Sequence, residues 1–74
     1  MMNGFVGALI TDIQTNLSTG RLNEARTLLG TLVGVVAATT PDNLHVMYRI
    51  AQDVGAMETA DELAAVLSSV IYYL

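Results

Sequence analysis

His45 is the only histidine, and so the only side chain whose ordinary pKa lies near neutral pH. Asp42 stands about one helical turn before it and Arg49 one turn after. On a helix this would align a carboxylate, an imidazole and a guanidinium along one flank. Such a group suits a charge network or a pH-sensitive contact. General-base catalysis needs more, namely a nucleophile in reach and a partner that orients the base. No Ser or Thr stands in a nucleophile motif, so His45 reads as a surface or interface residue, and no catalytic residue is assigned. A second group is acidic: Asp53, Glu58, Asp61 and Glu62. Paired carboxylates can ligate Mg²⁺ or Ca²⁺, but this spacing matches no EF-hand loop. Acidic residues at a helix start are explained by the positive end of the helix dipole, and no metal site is assigned.

What is missing narrows the chemistry further. The chain has no Cys, which removes disulfides, zinc–thiolate sites and a thiol nucleophile. It has no Lys and no glycine-rich strand-to-helix loop, which removes Schiff-base chemistry and a phosphate cradle. The expectation is a non-enzymatic protein with no cofactor and no small-molecule substrate.

Charge speaks to partners. Three arginines, Arg21, Arg26 and Arg49, stand against seven acidic residues, for a net charge of −4. Nucleic-acid binding draws on clustered basic residues that displace counterions from phosphates, and scattered arginines form no such patch. A helix-turn-helix DNA-binding regulator is the alternative reading, but its third helix would carry Arg49 alone against Asp42 and Asp53. Apolar residues make up 53% of the chain, above the usual range of about 45–50%, while aromatics are only 5%. So short a chain cannot hide all of this apolar surface, which points to a partner or a second copy.

The helices that must position these residues follow from periodicity and punctuation. The expected fold is all-α, a single helical domain over residues 1–74, with four helices at about 3–18, 21–38, 41–54 and 58–73 arranged as two stacked helical hairpins. Asn3 can cap the first helix, whose apolar side carries Phe5, Val6, Leu9, Ile10, Ile13 and Leu17. Gly20 closes it. Thr40-Pro41-Asp42 reads as a cap, a first helical position and a dipole-matched acid for the third helix. That helix is expected to bury Leu44, Met47, Ile50, Ala51 and Val54 and to stop at Gly55. Thr59 and Glu62 fit a capping box opening the fourth helix. Its uncharged end, Tyr72-Tyr73-Leu74, is expected to be docked.

Residues 27–41, TLLGTLVGVVAATTP, contain no charged side chain. The run is shorter than the roughly 20 apolar residues of a membrane-spanning helix. A membrane-active helical protein is therefore a second alternative, disfavoured by the acidic charge, and no membrane partner is expected. MMNGFVGALITD lacks the basic start of a secretory signal, so a cytoplasmic location is expected. Within the run, Gly30, Gly34 and Ala38 fall four apart on one stripe. An interior helical glycine costs about 1 kcal/mol relative to Ala. Close approach by another helix, of the same chain or of a second one, would compensate.

Sliding the sequence by 35 positions sets GRLNEA over GAMETA, Leu28 over Leu63, Leu32 over Leu67 and Val36 over Ile71. This period, with Gly at the hairpin and Ala five residues later, resembles tetratricopeptide-type helical hairpins. The resemblance covers about half the chain. It implies geometry only, two stacked hairpins, and none of that family's peptide-binding residues. The first-helix signature is absent, with no Trp, and with Ile13 where a small residue is usual. The same shift places Arg26 opposite Asp61, which suggests an ion pair across the seam. The functional expectation is a protein–protein interaction module acting as a small adaptor, regulator or inhibitor of a larger protein. It is expected to be a homodimer, with an interface drawn from Gly30, Gly34, Ala38, Tyr48, Tyr72 and Tyr73.

Overall fold

Four α-helices follow one another in a computed structural model that describes residues 4–74: α1 (Gly4–Ser18), α2 (Leu22–Thr39), α3 (Leu44–Ala56) and α4 (Ala60–Ile71). The expected cap at Asn3 lies outside the described residues. No strand occurs among the described residues, and the helices pack as a small all-α bundle built from two hairpins.

The first hairpin turns where glycine is required. Gly20 has φ +76°, in the left-handed region that side-chain-bearing residues avoid. Its amide donates to the Leu17 carbonyl at 3.3 Å, and the Arg21 amide donates to the Asn16 carbonyl at 2.8 Å. These two bonds form a Schellman motif, which satisfies carbonyls left open at the end of α1.

The α2–α3 junction is built differently from the expectation. Thr40 does not cap the following helix, because its hydroxyl donates backwards to the Val36 carbonyl at 2.7 Å. It therefore closes α2. Pro41–Asn43 forms a 3₁₀ turn, and α3 proper begins at Leu44. Gly55 does not stop α3, which runs through it to Ala56 before Met57 turns extended, with ψ 134°. No left-handed residue is used there. Arg26 holds that turn instead, donating from Nε at 3.1 Å and Nη2 at 2.6 Å to the Met57 carbonyl. Asn23 Oδ1 accepts from Arg26 Nη1 at 2.8 Å and steadies the guanidinium. The expected Arg26–Asp61 pair is replaced by this grip on the backbone.

Helix α4 opens with the expected capping box. Glu62's amide donates to Thr59 Oγ1 at 3.1 Å, and the Thr59 amide donates to Glu62 Oε1 at 3.0 Å.

Burial follows from which helix touches which. Helix α2 packs against all three others, as the uncharged run demanded, and α4 also touches all three, while α1 and α3 do not meet. The arrangement is thus a layer of α1, α2 and α3, with α2 in the middle and α4 laid across one side. The 16 Å short dimension fits two layers, since helix axes packed about 8–10 Å apart with Cα radii of about 2.3 Å span about 14 Å. Ile13, Leu29, Leu32, Val36, Met47, Leu63 and Val70 are completely enclosed between the layers. Helix α3 sits at an edge and buries only Met47 and Val54, with Ile50 half-buried. Leu44 and Ala51, expected inside, are exposed because an edge helix has a narrower covered face.

Candidate interaction surface

With α4 covering one side of the three-helix layer, the other side of α2 is left open. Thr27, Gly30, Thr31, Gly34 and Ala38 are exposed along it. A Cβ built on Gly30 or Gly34 would meet nothing within 4 Å, so neither glycine serves close packing inside the chain. The intrachain reading of this stripe is thereby corrected: the small residues face outward. Their threonine neighbours carry no free donor, since Thr27 Oγ1 donates to the Asn23 carbonyl at 3.0 Å and Thr31 Oγ1 to the Thr27 carbonyl at 3.2 Å. The face therefore presents methyl groups and bare backbone.

Helical periodicity places Leu44, Tyr48, Ala51 and Gly55 on the flank of α3 that borders this open side. All four are exposed, Leu44 to 56% and Tyr48 to 70%, which is high for side chains of that size. Their spacing of four, three and four is the pattern of a helix seam. Sequence reasoning singled out Tyr48 and missed the other three, although the uncharged spacing was there to be read. No charged residue falls on α2 between Arg26 and Asp42, and none on the α3 flank. Asp12 and Glu24 stand on the α1 side of the face.

Carboxylates gather instead near the two hairpin turns. Glu62 sits at the start of α4, and its carboxyl is held below the ordinary value of 4.5 by hydrogen bonds from the Glu58 amide, the Thr59 hydroxyl and the Thr59 amide. It is occupied as a cap. No group of three or more His, Asp or Glu side chains able to hold a metal occurs among the described residues. His45, Asp42 and Arg49 are all exposed, and no hydrogen bond or ion pair joins them.

The remaining interface candidates lie elsewhere. Tyr72 and Tyr73 form an edge-to-face pair with centroids 5.2 Å apart at the end of α4. Of the end expected to be docked, only Tyr73 packs against the core, while Tyr72 is 83% exposed and Leu74 40%. With Ser68 and Ser69 the two rings line a shallow depression, apart from the α2 face. The fold thus brings Gly30, Gly34, Ala38 and Tyr48 to one side and leaves Tyr72 and Tyr73 out. No described helix is long and apolar enough to cross a membrane. No protein-family model matches the chain, and no curated protein or solved structure is significantly similar to it.

Proposed function

We propose that this protein is a non-enzymatic protein–protein interaction module that forms a homodimer and acts as a small adaptor, regulator or inhibitor of a larger protein. The observation that carries the reading is the open side of α2, where exposed Gly30, Gly34 and Ala38 adjoin exposed Leu44 and Tyr48 with no charge among them. Two interior helical glycines with open space above them cost helix stability, and a helix laid against that face would supply the compensation missing inside the chain. The tetratricopeptide likeness enters as geometry alone, two stacked helical hairpins, and a cytoplasmic location belongs to the same proposal.

Light scattering coupled to size-exclusion chromatography tests it, on wild type and Gly34→Leu. Wild type is expected at twice the 7.9 kDa chain mass. Gly34→Leu should keep its helical circular dichroism, because nothing in the chain obstructs the new side chain, and should fall to monomer. A monomeric wild type at high concentration would sink the homodimer. An unchanged mass for Gly34→Leu would remove the stripe from the interface.

A further inference from the structure

We infer that Met57 is an oxidation site: hydroperoxides convert its thioether to the sulfoxide while the protein is folded, and the product destabilises the bundle at the α3–α4 connection. This goes beyond the interaction reading and stands whether or not the homodimer forms.

The chain has no cysteine, so its sulfur chemistry belongs to methionine alone. Met47 and Met57 are the two methionines among the described residues, and the fold treats them differently. Met47 is enclosed between the layers at 1% exposure. Met57 lies outside the helices and is only half-buried, packed against the core but not sealed by it. Oxidation of a thioether follows its exposure, so a peroxide reaches Met57 ahead of Met47. In that step a sulfur lone pair attacks one peroxide oxygen. The S–O bond forms as the O–O bond breaks, and sulfur gives up two electrons. The proton of the transferred oxygen passes to the departing hydroxide, which leaves as water.

What the new oxygen does depends on how this residue is held. The Met57 amide donates to the Val54 carbonyl at 3.3 Å, and its own carbonyl accepts both Arg26 bonds. A backbone shift that withdrew the side chain from the core would have to give up those bonds. The sulfoxide is a polar group set against apolar neighbours. It either loses hydration there or swings out and pulls the turn with it, and both outcomes destabilise the fold. Packing itself does not call for sulfur. The 35-residue shift sets Leu22 over Met57, and Leu22 is likewise half-buried against the core. Met57→Leu is therefore expected to fold, since Leu and Met are close in volume.

Trypsin cleaves after Arg26 and Arg49, which puts Met47 and Met57 in different peptides. After brief treatment of wild type with hydrogen peroxide, mass spectrometry of these peptides should show Met57 oxidised about tenfold faster than Met47 in buffer, and the two level in concentrated urea. Equal rates in buffer would overturn the site. Oxidised wild type should unfold at lower urea than the untreated protein, and methionine sulfoxide reductases should restore it. Oxidised Met57→Leu should keep the midpoint of its untreated form. An unchanged midpoint for wild type carrying Met57 sulfoxide would overturn the destabilisation, and so would an equal loss in oxidised Met57→Leu.

Discussion

Arg26 shows how one side chain can close a bundle. Its guanidinium reaches from the second turn of α2 to the carbonyl that opens the α3–α4 connection, with two bonds to one oxygen and a third to Asn23. Among the described residues it is the one charged side chain whose hydrogen bonds join separate elements. A hydrogen bond to a charged group contributes about 1.5–3 kcal/mol, and half-burial puts this contact toward the lower part of that range. Urea denaturation of Arg26→Ala should therefore show a loss of about 1–2 kcal/mol. Arg26→Lys should recover only part of it, because an ammonium lacks the planar fork. Wild-type stability for Arg26→Ala would mean that the Met57 turn holds without it. The sequence could not announce this role, since the repeat alignment offered Asp61 as partner. A backbone carbonyl leaves no mark in a residue alignment.

Among the elements, α4 depends on its first turn. Thr59 and Glu62 satisfy each other's amides, and Glu58 adds a third amide bond to the same carboxylate. Because these bonds favour the charged form, Glu62's pKa is lower folded than unfolded. Its stabilising contribution is then complete above the ordinary value of 4.5 and disappears as pH falls through the lower folded value. Glu62→Gln should be less stable than wild type at neutral pH, and the gap should close in acid, as followed by denaturant melts across the carboxylate range. A gap independent of pH would assign the effect to side-chain shape. Thr59 followed by Glu62 was legible in the sequence because a capping box is local, with fixed spacing. Gly20 was legible for the same reason. Thr40 was not: its hydroxyl had two helix ends to choose from and bonded the one already formed.

At the scale of the whole molecule, periodicity located every apolar stripe but not how much of each is covered. Leu44 and Ala51 lie on a stripe that would be interior if α3 had neighbours on both sides, and they are exposed because α3 occupies an edge. The same limit governs Gly30 and Gly34. Their spacing marked a surface made for close approach, but only the position of α4, on the opposite side of the layer, shows that nothing in the chain makes that approach. Central placement of α2 was legible, because a helix apolar on most sides must be surrounded. Which of its sides stays open depends on long-range packing.

The interior of the bundle is built from aliphatic side chains and Met47, while Phe5, Tyr48 and Tyr72 stand outside and the chain has no tryptophan. Two of the three tyrosines, Tyr48 and Tyr72, therefore absorb from the rim, and Tyr73 alone is half-buried against the core. Tyrosine emission is a poor thermometer of unfolding in such a molecule, since most of its rings are already in water before the chain melts. Backbone dichroism must report folding, and the phenol of Tyr48 is left free as an optical probe of whatever settles on the open side of α2.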